Sequence, residues 1–169
     1  MSFKNELYFH HSTVSAPARQ TITTSYTEVT GTKCEVRLRY SDSVLYYKTS
    51  FYLSTVYDFS TGASGSYDKP FLHLKLQKSN DNFSSNIVDI NETRHNVSGD
   101  TIENRDYYYI SHSPMFLVEN FGSSTHIRLV ARSYSTSNDV DLHRARQWDG
   151  NDNNEVYYNT SLLVAEIKQ

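Results

Sequence analysis

The 169 residues predict an all-β fold, an antiparallel β-sandwich, here expected as a jelly roll, carrying a short extended N-terminal arm. Three observations carry the expectation. Apolar residues recur at period two in one segment after another, as half-buried strands require. The aromatic content is dominated by Tyr, with 14 Tyr and 8 Phe against one Trp, and Tyr and Thr suit pleated surfaces. Turn residues separate these segments with no helical pattern between them, whereas parallel sheets need crossovers.

The elements follow in chain order. Residues 1–24 contain one small apolar group, Leu7, Tyr8 and Phe9, followed by His10, His11 and a polar stretch through Pro17. That is too little for a core, so the segment is expected as an arm ordered against a partner, with the β domain spanning 25–169. Lys33 to Tyr40 places Cys34, Val36, Leu38 and Tyr40 on one face and Lys33, Glu35, Arg37 and Arg39 on the other. After the turn at Ser41 to Ser43, a long strand over Val44 to Val56 puts Leu45, Tyr47, Thr49, Phe51 and Leu53 on the core face, opposite Tyr46, Lys48, Ser50, Tyr52 and Ser54. Asp58 to Lys69, with Gly62 and Gly65, reads as an exposed loop.

Beyond Pro70, Leu72, Leu74 and Leu76 alternate with His73, Lys75 and Gln77, and a short strand is expected over Ile87 to Ile90. Asn91 to Asp106 is polar and charged around Gly99 and reads as a loop. A paired region starts at Tyr107. Met115 to Asn120 and Thr125 to Tyr134 flank Phe121-Gly122-Ser123-Ser124, which predicts a hairpin. Val140 to Trp148 reads as an amphipathic strand, Gly150 to Asn154 as a polar turn and Ser161 to Ile167 as the closing strand. About eight to ten strands result. Periodicity alone does not separate a jelly roll from an immunoglobulin-like sandwich, although the Cys…Trp…Cys spacing of the latter is absent.

Composition narrows the function classes. A formal charge of −3 with interspersed signs offers no basic patch for nucleic acid or an anionic membrane. No run approaches a membrane span, and the N-terminus lacks the apolar core of a signal peptide. The chain is therefore read as assembled in a cytosol, and the Asn-x-Ser/Thr matches at Asn82, Asn91, Asn96 and Asn159 carry no glycan on that reading. The single Cys34 excludes an internal disulfide and is read as a small buried hydrophobe.

No catalytic, cofactor or metal site is assigned. The seven His residues fit no zinc spacing. Asp149 to Glu155 offers oxygen ligands without the register of an EF-hand, and is read as a solvated turn. Ser111, His112, Ser113 and Asp106 contain triad residue types, but a triad is a three-dimensional arrangement. Arg128, Arg132, Arg144 and Arg146 are read as ion-paired sheet residues. Tyr is the suggestive type, because a ring that packs and a hydroxyl that hydrogen-bonds suit interfaces. Tyr46-Tyr47, Tyr107-Tyr108-Tyr109 and Tyr157-Tyr158 put neighbouring rings on opposite strand faces, one for the core and one for a partner. The candidate interface residues are Leu7, Tyr8, Phe9, Tyr46, Tyr52, Tyr108 and Tyr157.

Taken in order, Tyr26-Thr-Glu-Val-Thr-Gly31, the strand Val44 to Val56, Pro70-Phe-Leu-His-Leu-Lys-Leu-Gln-Lys78, Met115 to Arg132 and Thr160-Ser-Leu-Leu-Val-Ala-Glu-Ile-Lys168 resemble a loose family of jelly-roll domains in bacteriophage virion and tail-fibre proteins, akin in architecture to tumour-necrosis-factor and C1q heads. The resemblance covers residues 25–169. It implies a non-enzymatic virion structural protein, such as a capsid decoration or a tail or fibre component, that forms a homotrimer and docks on other virion proteins. A carbohydrate- or host-receptor-binding module, meeting a host-surface glycan through its loops, is the alternative. The charged stretch 91–106 and the absence of a fibrous shaft depart from the family pattern.

Overall fold

The computed structural model describes residues 7–13, 19–56, 71–96, 107–134, 140–146 and 155–168. Within them the chain forms strands only: β1 (Leu7–Thr13), β2 (Gln20–Ile22), β3 (Thr27–Glu28), β4 (Cys34–Glu35), β5 (Val44–Val56), β6 (Phe71–Ser79) and β7 (Ile87–Asn96). The second half adds β8 (Tyr107–His112), β9 (Met115–Val118), β10 (His126–Ser133), β11 (Val140–Leu142), β12 (Arg144–Arg146), β13 (Glu155–Tyr157) and β14 (Ser161–Ile167).

Among the described residues every pairing is antiparallel, in one seven-stranded sheet, one five-stranded sheet and the small β12–β13 ribbon. The 13-residue β5 is the spine of the larger sheet. Its first half pairs with β14 on one flank and β9 on the other, and its second half with β11 and β8. In the smaller sheet β10 pairs with β6 on one flank and with β3 and β4 on the other, and β7 completes the edge. The pairs nest. β6 with β7 is innermost, then β5 with β8 and β9, then β3 and β4 with β10, and β1 with β14 is outermost. A long hairpin folded over into two facing sheets in this way is a jelly roll, and the antiparallel sandwich is the observed fold.

The core lies between the two inner faces. Leu45, Tyr47, Thr49, Phe51 and Leu53 of β5 are all buried, as alternation predicted, and so are Leu72, Leu74 and Leu76 of β6. Ile127, Leu129 and Ala131 from β10 and Leu162 and Val164 from β14 join the same cluster. The Tyr47 hydroxyl enters this apolar layer only because it donates to the Thr32 carbonyl oxygen at 2.7 Å. Glu166 is likewise buried with partners: its carboxylate accepts from the Arg39 and Tyr40 amides at 3.0 Å and from Ser43 Oγ at 2.6 Å. Burial works against its charged form, but these donors outweigh it and hold its pKa below the usual carboxylate value.

Several sequence expectations change. Between Lys33 and Tyr40 the burial alternates as expected, yet only Cys34–Glu35 is strand, because only these two residues meet β10. Asn91 to Asn96 is not loop but the second half of β7, held by the β6 ladder from Leu76 to Phe71. An edge strand can be polar on both faces because backbone groups make the ladder, and charged residues there deter further pairing. Residues 97–106, like 58–69 and 150–154, lie outside the described residues.

The hairpin expected across Phe121 to Ser124 is an arch between sheets. β9 pairs with β5, and β10 pairs with β6. Phe116 and Val118 therefore face Ile127 and Leu129 across the core, which a hairpin in one sheet would not allow. Asn120 and Gly122 take positive φ of 55° and 68° in the arch, Phe121 between them is 1% exposed, and Lys78 Nζ donates to the Asn120 and Phe121 carbonyl oxygens. The strand expected over Val140 to Trp148 is broken at His143, whose φ of 67° turns the chain out of the large sheet into the ribbon.

The segment read as an arm, residues 1–24, contributes two strands. Leu7 to Thr13 pairs residue by residue with Ile167 to Ser161, and Gln20 to Ile22 pairs with Leu142 to Val140. Ile22 is 3% exposed in the core, and Arg19 Nε sits 2.8 Å from the buried Asp141 carboxylate.

Candidate interaction surface

The two sheets present outer faces of opposite character. On the five-stranded sheet most outward residues are polar and several are paired: Lys75 and Gln77 reach Asp89 at 2.5 and 2.8 Å, and Arg128 reaches Glu28 at 3.3 Å and Gln77 at 3.1 Å. The Arg128 guanidinium also covers the Phe83 ring at 4.0 Å. This matches the ion-paired reading of Arg128.

The seven-stranded sheet is different. Its outward residues on β5 are Tyr46, Lys48, Ser50 and Tyr52, and the register places Leu117 opposite Tyr46 and Met115 opposite Lys48 on one flank, Ala165 and Leu163 on the other. Met115 and Leu117 are each 59% exposed. β9 carries four apolar residues in a row, of which Phe116 and Val118 fill the core. Pleating then drives the other two into solvent. Among the described residues β9 pairs only with β5, so its other flank is an edge bearing an apolar outer face, the combination that edge strands ordinarily avoid. Ile87 and Val88 on β7 are exposed too, but they adjoin the ion-paired face.

Beyond Ser50 the same face becomes aromatic. Tyr52 stacks on Tyr158 with ring centroids 4.0 Å apart and planes at 20°. The pair is set by the kink at His143, whose amide donates to the Tyr52 carbonyl oxygen and whose carbonyl accepts from the Tyr158 amide, both at 2.9 Å.

Of the sequence-derived interface residues, the structure brings Tyr46 and Tyr52 together on the outer face of β5, with Tyr47 between them fully buried. Tyr157 is 41% exposed in the β12–β13 ribbon, and it is its neighbour Tyr158 that joins Tyr52. Leu7, Tyr8 and Phe9 sit opposite Ile167, Glu166 and Ala165 at the edge of the same sheet, and Tyr108 opposite Thr55. The side chains of these four lie outside the described residues. Sequence reading missed Met115 and Leu117. The signal was the unbroken apolar run Met115 to Val118, which a one-sided strand does not need.

The reactive residue types are held in inert settings. Cys34 packs against the core, and burial pushes its thiol pKa up to about 12. His143 is fully buried, and burial lowers its pKa to about 4. His112 lies edge-on to the Phe51 ring at 5.5 Å, and Asp106 is outside the described residues.

A chain in the structure of infectious bursal disease virus, Gx strain, is similar over 99% of this chain and 38% of that chain, at 8% identity and a TM-score of 0.37. The present chain thus spans well under half the length of that neighbour. No family model matches the sequence, and no curated protein does.

Proposed function

We propose that this chain is a non-enzymatic structural protein of a bacteriophage virion, a capsid decoration or a tail or fibre component, which self-associates and docks on other virion proteins through the outer face of the seven-stranded sheet. The observation that carries the reading is the pair Met115 and Leu117, each 59% exposed on an edge strand, with Tyr46 beside Leu117 and Lys48 between Met115 and Leu163. Burying apolar area at roughly 25 cal/mol per Å² rewards any partner that covers such a face. A second copy of the chain is that partner, and a stable contact needs on the order of 800 Å² from each side. The trimeric state and the virion location rest on the resemblance to phage jelly-roll heads, which the nested strand pairing supports. Assembly in the host cytoplasm is supported by the lone Cys34, which calls for no oxidising compartment.

Sedimentation velocity at tens of micromolar tests this. The wild-type chain is expected to be oligomeric, and Met115→Ser with Leu117→Ser to be monomeric with its thermal transition kept. A monodisperse wild-type monomer would sink self-association. The stacked Tyr52–Tyr158 pair beside exposed Tyr157 favours a second reading, a module that meets a host-surface glycan. Glycan-array binding lost in Tyr157→Ala would support it.

A further inference from the structure

One row on the outer face of the five-stranded sheet is only partly neutralised by its neighbours. Arg132 on β10 sits opposite His73 on β6, and His73 sits opposite Arg94 on β7. Three basic side chains thus follow one another across adjacent strands, about 10 Å from end to end. The two guanidiniums flank His73 from either side. Among the described residues no carboxylate lies within ion-pair distance of Arg132. Its guanidinium lies instead over the Tyr26 ring at 5.1 Å, with Lys75 Nζ over the same ring at 4.9 Å. Glu92 pairs with the other two members of the row, 3.5 Å from His73 Nε2 and 3.8 Å from an Arg94 nitrogen, through a side chain that is 55% exposed.

Two nitrogens in this row lack a hydrogen bond. Arg132 Nε and His73 Nε2 are buried and make no hydrogen bond among the described residues, which is costly for polar groups out of water. His73 is oriented by Tyr26, whose hydroxyl lies 2.7 Å from Nδ1 and 5.5 Å ring to ring. The Glu92 carboxylate 3.5 Å from Nε2 favours the tautomer with its proton on Nε2, in which the Tyr26 hydroxyl donates to Nδ1. Burial foremost, then the charges of Arg94, Arg132 and Lys75 against the opposing pull of Glu92, hold the His73 pKa below its ordinary value. The ring is therefore a neutral donor flanked by cations.

We propose that Arg132, His73 and Arg94 form a binding site for one isolated oxyanion, a sulfate or carboxylate group, which displaces Glu92 from the row. Its oxygens accept from the two unsatisfied donors and from the Arg94 guanidinium, as charge-assisted hydrogen bonds. A polyanion such as nucleic acid does not fit, because Glu28, Asp89 and Glu92 stand on the same face and repel a continuous line of phosphates.

The test uses the full chain titrated with sodium sulfate against sodium chloride at matched ionic strength, read by thermal transition and by the His73 imidazole NMR signals. Sulfate is expected to raise the transition saturably and to shift the His73 titration upward, with chloride doing neither. Arg132→Gln should weaken the sulfate response at least about tenfold, read as the sulfate-minus-chloride difference within the variant. Glu92→Gln should strengthen sulfate binding several-fold by removing the competing carboxylate. Acetate and glucuronate distinguish the source: glucuronate about tenfold tighter than acetate assigns the group to an acidic sugar, and equal affinities assign it to a free anion. Equal responses to sulfate and chloride, or an Arg132→Gln variant that keeps the sulfate response, would overturn the site.

Discussion

His143 couples the fold to pH. Its imidazole is fully buried at the kink between β11 and β12, with Nε2 3.3 Å from Gln20 Oε1, Nδ1 3.2 Å from Thr160 Oγ1 and its ring edge-on to Phe51 at 6.3 Å. None of these neighbours carries charge, so burial lowers its pKa from 6.5 to about 4. Between those values the unfolded chain binds a proton that the folded chain refuses, so stability is full above pH 6.5 and falls as pH drops towards 4. The gap corresponds to about 3 kcal/mol. Asp81, Asp89 and Glu166 have folded pKa values below ordinary, so their stabilisation is lost only at lower pH, as it falls through those depressed values. His73, also lowered, acts in the same direction as His143 but is common to both proteins compared. The comparison is wild type against His143→Asn, a residue that accepts the positive φ of 67° and does not titrate. Urea titrations at pH 7, 6, 5 and 4 should show wild type losing about 3 kcal/mol more than the variant over that span. Parallel losses in the two proteins would refute the argument, whatever their absolute stabilities.

Three further outcomes are expected. Phe51→Ala should destabilise by about 3–5 kcal/mol, because the ring is 1% exposed and packs edge-on to His112 and His143, while exposed Lys48→Ala should stay within about 0.5 kcal/mol; equal shifts in denaturant midpoint would reject the facing of β5. Truncation to a chain starting at Thr21 removes β1 and uncovers the β14 edge, so its thermal transition should fall; an unchanged transition, with weakened incorporation into particles, would return residues 7–13 to the role of an attachment arm. Cys34 should react with a thiol reagent at pH 8 far more slowly in the native protein than in urea, since burial holds its pKa at about 12; equal rates would place it in solvent.

Which way each side chain faces was largely legible in the sequence. Along β5, Leu45, Tyr47, Thr49, Phe51 and Leu53 had to share a face because a pleated strand repeats every two residues, and all five are buried. The same local geometry placed Leu72, Leu74 and Leu76 inside and separated Tyr46 from Tyr47. Partners were not legible, since the backbone groups that join strands are the same in every residue. So only the tertiary structure decided that β9 and β10 arch between sheets instead of forming a hairpin, that polar Asn91 to Asn96 extends β7, and that Leu7 to Thr13 lies along β14. The candidate surface shows the same division. Tyr46 and Tyr52 follow from alternation alone, but Met115 and Leu117 join them because β9 pairs with β5 through contacts some 70 residues apart, which no local period encodes.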